Sequence, residues 1–553
     1  MEGRLEDHCN MNNGGITFVT SCTFSPKQRL AKSQRAKTFY GNSNNIGRQS
    51  SPAKLMFPGV ITNNLFPLNM VSQGDHFHEE CGVIGVWGIE SAAKIAFYGL
   101  HALQHRGQEG AGITVVFNEK LYEYKNLGLV TEVFNDDILS ELQGSAAIGH
   151  NRYSTSGEKS VRNVQPFTVE LNGIQVSIAH NGNLTNANKI RSQLELRGSI
   201  FNTSSDTEVV LHLMATSLLA SSCIEKNSQD ALVRRLIDAL SRVEGAYSIL
   251  LLSPFGLVAV RDPLGFRPLV MGKMKDNSKN VIFASETCVF DLIGAEFVRE
   301  VDPGEMIVVS KDGRIHSLFP FPSHTRKACI FEHIYFSRPS SIVFGRSVYM
   351  SRFRFGEILA EIAPVEADIV IPVPESGVPA ALGYSAASGI PYQPGIMRSH
   401  YVGRTFIQPT QHIRDLSVRL KLSAVRSIIE HKRLVVVDDS IVRGTTSRKL
   451  VRMLRENGAK QVHVRIACPP ITGSCYYGVD TPNTKELISH NMTNEEIRKY
   501  IDADSLAFLP LDQLHQFLGE ESSSFCDACF SGNYPIPPLP VEDTTHDILS
   551  PML

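Results

Sequence analysis

The run Val435-Val436-Val437-Asp438-Asp439-Ser440-Ile441-Val442-Arg443-Gly444-Thr445-Thr446-Ser447 carries two adjacent carboxylates at the end of an apolar stretch. A loop with Gly444 and the hydroxyls of Ser440, Thr445 and Thr446 follows, and Ser447 leads into helical spacing. Loop amides and the helix N-terminus together can hold a phosphate dianion. Paired carboxylates can accept hydrogen bonds from a sugar diol or help hold Mg²⁺. The spacing is not that of a nucleoside-triphosphate P-loop, because no Gly-Lys-Ser/Thr occurs in it.

A second set of residues suits amide cleavage. Cys81-Gly82-Val83-Ile84-Gly85 opens an ordered-looking region. It is followed by His105-Arg106-Gly107-Gln108-Glu109-Gly110, His150-Asn151-Arg152-Tyr153, His180-Asn181-Gly182-Asn183 and Ser205-Asp206-Thr207-Glu208. Taken singly, Cys81 is a small hydrophobe at a strand start, and each polar pair is a turn or a helix cap. Taken together they supply a nucleophile, a base and an oxyanion site. Cleavage before Cys81 would free an α-amine, whose pKa of about 7.7–8.0 suits a general base. The Asn181 side-chain amide and the Gly182 backbone N–H can form the oxyanion pair. Arg152 can take an α-carboxylate and Asp206 an α-ammonium.

Ten cysteines in 553 residues are too sparse for a disulfide scaffold. Cys526-Asp527-Ala528-Cys529 is a lone C-x-x-C, which fits two loop thiols or a redox pair as well as a metal site. Cys223, Cys288 and Cys468 read as ordinary buried thiols.

The Val435–Ser447 string closely resembles the phosphoribosyl pyrophosphate (PRPP) signature of type I phosphoribosyltransferases. That resemblance implies that Asp438 and Asp439 face the ribose hydroxyls and Mg²⁺. It puts the 5′-phosphate on Ser440, Arg443, Gly444, Thr445 and Thr446. Pro374-Glu375-Ser376-Gly377 resembles the family's pyrophosphate loop, so Glu375, Ser376 and Gly377 are expected on PRPP, with Ser376 near the metal. Arg398-Ser399-His400-Tyr401-Val402-Gly403-Arg404-Thr405-Phe406 resembles the lid that closes over PRPP and excludes water.

Residues 81–315 resemble the class II, N-terminal-nucleophile glutamine amidotransferases. The resemblance implies a four-layer αββα domain in which Cys81, Asn181 and Gly182 are catalytic and Arg152 and Asp206 bind glutamine. It requires Cys81 at a free N-terminus, hence removal of residues 1–80. A glutaminase followed by a PRPP site is similar to the amidophosphoribosyltransferase family over residues 81 to about 535. The implied reaction is glutamine + PRPP + H₂O → 5-phosphoribosylamine + glutamate + pyrophosphate, the entry to de novo purine synthesis, with ammonia passing between two sites. The family's iron–sulfur branch implies one [4Fe–4S] cluster on Cys329, Cys475, Cys526 and Cys529. A homotetramer and inhibition by purine nucleotides are further family expectations. Hexosamine and asparagine synthases share the front half but need another domain behind it. PRPP-binding transcription regulators lack a glutaminase.

These residues need elements to hold them. Between Cys81 and Ala284, short apolar runs read as strands, with helical spacing after Ser91, a candidate cap, and after Asp206. Ile95, Phe97, Leu100 and Leu103 are the expected buried face of the first helix, and Val209, Val210, Leu213 and Met214 that of the second. Many strands with grouped helices argue for a layered α+β domain over 81–315. Over 316–521 the rhythm becomes strand, helix, strand: Ala367–Val373, Arg433–Val437, a helix over Ser447–Asn457 stopped by Gly458, then Val462–Ala467. That is α/β with a parallel sheet, whose ligands sit beyond the carboxyl ends of the strands. Residues 522–553 form a proline-rich tail, expected to be irregular.

The net charge of −2 argues against nonspecific nucleic-acid binding, and no apolar run is long enough for a membrane span. The first 80 residues stand apart. His8 to Gly74 contains no Asp or Glu but seven Lys or Arg and twelve Ser or Thr. That is the composition of an organellar transit peptide. Its hydroxyl and Asn content, without an evident amphipathic Arg helix, favours the plastid (chloroplast stroma) over the mitochondrion.

Overall fold

Adjacent residues of a strand face opposite sides of its sheet, so strands apolar on both faces must be covered twice. The first half meets this demand with two stacked sheets and helices outside each. The structure, a computed structural model, describes residues 81–153, 160–218, 228–275, 280–399 and 422–538. Its early strands are β1 (Gly82–Trp87), β2 (Gly110–Phe117), β3 (Lys120–Leu127), β4 (Ala146–Arg152), β5 (Phe167–Leu171) and β6 (Ile174–Leu184). Then come β7 (Gly245–Ser253), β8 (Gly256–Arg261), β9 (Val270–Met274), β10 (Val281–Ala284), β11 (Ala295–Glu300), β12 (Met306–Ser310) and β13 (Ile315–Leu318).

One sheet has the order β11-β9-β10-β1-β4-β2-β3 and the other β13-β12-β8-β7-β6-β5. Val83, Ile148 and Phe283 of the first sheet meet Ala179, Leu250 and Leu252 of the second in the middle layer. One residue along, Ile84 and Ala147 turn outward onto Leu100 of the helix Ala92–Ala102. Ile178 and Leu251 turn outward onto Val210 and Leu236 of the helices Thr207–Thr216 and Gln229–Leu240. The result is the expected helix–sheet–sheet–helix stack. Val209, Val210, Leu213 and Met214 are buried as read from the spacing. Two details differ. Ser91 has a left-handed backbone and makes no side-chain cap bond, and Ile95 and Phe97 are only partly buried, because Ala92, Ala93 and Ala96 take the inner face.

The second half centres on a parallel sheet in the order Ile369–Pro372, Arg433–Asp438, Gln461–Ile466, Ser505–Phe508. Val435, Val436 and Val437 are fully buried in its middle, which is why they read as a continuous apolar run. The helix Thr445–Glu456 follows and buries Leu450, Val451 and Leu454.

The tail corrects the sequence reading. It is not irregular from Ser522: Phe525–Cys526 pairs in parallel with Ala328–Cys329, and Ala528–Ser531 is a helical turn. Tyr534 and Ile536 then pack beside Phe266 and Tyr477. Residues 532–538, which carry Pro535, Pro537 and Pro538, have no regular secondary structure, as expected. Residues 1–80 and most of the expected lid, 400–406, lie outside the described residues.

Candidate functional site

Cys81 sits just before β1, beside the end of β4 that carries Arg152. Cys81, Arg152, Gly182 and Asp206 line a single cleft of about 360 Å³, together with His150 and His180. Burial pushes the Cys81 thiol up to about 11, against the pull of the Tyr153 carbonyl contact and of Arg152. Its Sγ lies 3.6 Å from Tyr153 O. A thiol held there is protonated at neutral pH, so a base must take its proton as it attacks.

Asp206 begins the helix Thr207–Thr216 and is tied down from several sides. Its Oδ2 accepts from Leu184 N at 2.9 Å, and its Oδ1 lies 3.2 Å from Thr207 Oγ1 and 3.7 Å from His180 Nδ1. Burial would raise its carboxyl, but His180 and these hydrogen bonds hold it below the usual carboxylate range. His180 is fixed in turn: its N–H donates to Gln165 Oε1 at 2.8 Å. Asn181 lies on β6 between His180 and Gly182, is buried, and among the described residues finds no hydrogen-bond partner for its side-chain Nδ2 or Oδ1. A buried amide with no partner is costly unless a ligand completes it.

Behind Cys81 lies a network that spacing alone did not assign. Arg106 Nε donates to Cys81 O at 3.3 Å. Its Nη1 donates to Glu286 Oε1 at 2.6 Å, and its Nη2 to Glu332 Oε1 at 2.7 Å. All three side chains are fully buried. Glu286 also accepts from Ser341 Oγ at 2.6 Å and Arg338 N at 2.9 Å, and Glu332 from Ser337 Oγ. Burial alone would raise Glu286, but the charges of His105 and Arg106 hold it far below the usual range. Only the polar His105-Arg106 pair in a Gly-rich loop hinted at this. Glu286 and Glu332 carried no local signal.

In the second half, Asp438 ends its strand and Asp439 follows, with Ser440 Oγ donating to Asp439 Oδ1. Burial and the neighbouring Asp439 push the Asp438 carboxyl well above its ordinary value. Gly444 has φ 74° and opens the helix Thr445–Glu456. Arg443 pairs with Glu486 at 2.9 Å. The segment Pro374–Gly377 is brought against this strand end: a Cβ on Gly377 would stand 2.5 Å from Val437 O and 3.3 Å from Asp438 Cα. Ser376 precedes it in the same turn, and the Pro374–Glu375 peptide is cis. Arg352, buried and bonded to Ser337 O at 2.7 Å, feels the charge of Asp439.

Cys329, Cys475, Cys526 and Cys529 converge on one apolar cavity of about 420 Å³, walled by Phe266, Phe331 and Tyr477. Cys329 and Cys526 are direct partners in the parallel bridge between the core and the tail. Among the described residues, no three Cys, His, Asp or Glu side chains close on a single ion. Arg267 lies beside Cys329 and Cys475, with Nη2 3.4 Å from Glu332 Oε1. No described helix is long and apolar enough to cross a membrane.

Comparison with known proteins follows the same lines. Residues 150–291 match the family model described as a glutamine amidotransferase domain. Amidophosphoribosyltransferase 1, chloroplastic, of Arabidopsis thaliana is 58% identical over 465 residues, 84% of this chain and 80% of the relative. Chloroplastic amidophosphoribosyltransferase of Glycine max is 57% identical over 461 residues, 83% and 79%. Amidophosphoribosyltransferase of Bacillus subtilis (strain 168) is 48% identical over 472 residues, 84% and 96%. The solved structure of glutamine PRPP amidotransferase from B. subtilis, complexed with ADP and GMP, superposes with a TM-score of 0.77 at 47% identity. It covers 83% of this chain and 98% of that one.

Proposed function

The chain belongs to the amidophosphoribosyltransferase family, and from that premise we propose how its residues carry the reaction. It moves the amide nitrogen of glutamine to PRPP, releasing glutamate and pyrophosphate, as the first step of purine synthesis. The observation that carries the residue assignment is the cleft shared by Cys81, Arg152, Gly182 and Asp206. Asp206, kept ionised, faces the α-ammonium of glutamine, and Arg152 its α-carboxylate. Cys81 Sγ attacks the side-chain amide, and the Asn181 amide, without a hydrogen-bond partner among the described residues, donates with Gly182 N–H to the developing oxyanion. In an uncleaved chain the Cys81 nitrogen is an amide and has no basicity. Removal of residues 1–80 turns it into an amine able to take the thiol proton.

The ammonia so released meets PRPP at the open end of the Asp438 strand. Asp438, Asp439, Ser376, Glu375 and Gly377 bind the ribose and pyrophosphate, and Ser440, Arg443, Gly444, Thr445 and Thr446 the 5′-phosphate. Two neighbouring carboxylates, one pushed well above its ordinary value by burial and by the other, suit a divalent cation. Mg²⁺ on Asp438, Asp439 and Ser376 would spread charge on the leaving pyrophosphate. The four cysteines suit a [4Fe–4S] cluster: all four thiols line one apolar pocket between the core and the tail. Buried Arg267 offsets thiolate charge there, and the cluster would bolt the tail to the core. Plastid location is supported by the stretch His8–Gly74, which lacks Asp and Glu, and by the chloroplastic relatives. Purine nucleotides are proposed as inhibitors, since the B. subtilis neighbour was complexed with ADP and GMP. A homotetramer is proposed from the family alone.

The deciding variant is Cys81→Ala. Glutamine-dependent synthesis is expected to vanish while ammonia-dependent synthesis persists; retained glutamine turnover overturns the assignment.

A further inference from the structure

The strand that carries the oxyanion residues does not stand alone. A turn from the phosphoribosyltransferase half lies against it. Gly478 has φ 108°, and a Cβ there would stand 3.1 Å from Gly182 Cα, 3.2 Å from its carbonyl carbon and 3.5 Å from its oxygen. One residue on, Asn183 Nδ2 donates to Tyr476 O at 2.9 Å. The turn itself is well anchored. Tyr477 stacks on Phe266 with centroids 4.3 Å apart, and its hydroxyl donates to Ile536 O at 2.6 Å. Cys475 N donates to Thr481 Oγ1 at 2.7 Å, closing the turn from within. At the far end Asp480 feels the charges of Arg443, in the phosphate loop, and of Glu109, in the glutaminase half. On its other side Gly182 is paired with Tyr247 of β7, so its backbone is held between a sheet partner and the turn.

We infer that the turn Tyr476–Asp480 positions the oxyanion site of the glutaminase: Gly478 sets how far the Gly182 backbone can move, and the Tyr476 carbonyl fixes Asn183 beside it. The inference rests on the reading of Gly182 N–H as an oxyanion donor. Such donors act only within about 2.7–3.1 Å of the oxygen that develops charge, so a shift of a few tenths of an ångström matters. Gly478 and Asn183 are positioning residues, since neither is needed to touch glutamine. Each half of the chain therefore contributes to the first chemical step.

Gly478→Ala puts a methyl group against Gly182 and asks an L-residue to keep a positive φ. Losing a whole oxyanion donor costs roughly 100- to 1000-fold in kcat. A displaced one is expected to cost about tenfold in kcat with glutamine, with KM for glutamine within about threefold and ammonia-dependent synthesis unchanged. Asn183→Ala adds no bulk and is expected to lower kcat with glutamine about threefold, with the same split. If Gly478→Ala does not fold, Asn183→Ala decides alone. Unchanged kcat with glutamine in both variants overturns the inference, as does an equal fall with glutamine and ammonia, or a rise confined to KM. Asn181→Ala separates the two levels. If it leaves kcat with glutamine intact, the oxyanion reading itself has failed. If it lowers kcat while the Gly478 and Asn183 variants do not, only the positioning role is lost.

Discussion

Glu332→Gln is the substitution that most strains the join between the two halves. The carboxylate has no exposed surface and serves two cations: Arg106 Nη2 at 2.7 Å and Nη1 at 3.0 Å, and Arg267 Nη2 at 3.4 Å. Glutamine keeps the volume, so no cavity opens, but it removes the charge and turns an NH₂ toward one guanidinium. Arg106 keeps Glu286, and Arg267 loses this carboxylate. Breaking a buried pair in this way costs about 3–5 kcal/mol, because a buried charge is left uncompensated. At roughly 2–4 °C per kcal/mol for a large domain, the unfolding midpoint should fall by on the order of 10 °C. Function should follow, since Arg106 Nε also holds Cys81 O: glutamine-dependent synthesis should drop more than ammonia-dependent synthesis. The assay is thermal unfolding at fixed scan rate beside both activities. A loss below about 1 kcal/mol in Glu332→Gln would refute the claim that this network binds the nucleophile to the second half.

Acid should destabilise the fold above the carboxylate range. Burial pushes His150 down to about 3 and His333 down to about 4, while an unfolded histidine sits near about 6.5. The unfolded chain therefore takes up these protons first, and stability falls as pH drops below about 6.5. From pH 7 to 5 each histidine costs about 2 kcal/mol; His333→Gln should flatten that slope, and an unaltered slope contradicts the burial argument. Asp439→Asn should abolish synthesis with glutamine and with ammonia alike; a defect with glutamine only would move Asp439 out of the PRPP site. Cys526→Ser should lose bound iron and inorganic sulfide and loosen the tail to proteolysis; full iron content would exclude Cys526 as a ligand.

Much of the site was legible in the sequence because its chemistry is local. Asp438, Asp439 and the hydroxyl loop lie within one strand–loop–helix passage, and Asp206 directly begins its helix. Seven of the thirteen strands, β1, β2, β4, β6, β7, β8 and β10, were legible as short apolar runs, whereas β3, β11 and β13 are largely exposed and gave no such run. What stayed hidden depends on contacts between distant residues. Glu286 and Glu332 read as unremarkable acids until the fold placed Arg106 between them. Gly478 drew no reading from the sequence, since only the pairing of two halves brings it against Gly182. The tail misled in part: its prolines suggest irregular chain throughout, whereas buried Phe525 and Phe530 hold the stretch before them in a short strand and a helical turn. Ser91 had the right residue type for a cap, but it has a left-handed backbone in place of the extended one of a capping residue, and makes no side-chain cap bond.

The most direct test compares the full chain with a chain that begins at Cys81, each assayed with glutamine and with ammonia. The account predicts that both make 5-phosphoribosylamine from ammonia, and that only the chain with a free Cys81 amine makes it from glutamine. Equal glutamine turnover by a chain shown by mass spectrometry to retain residues 1–80 would contradict it.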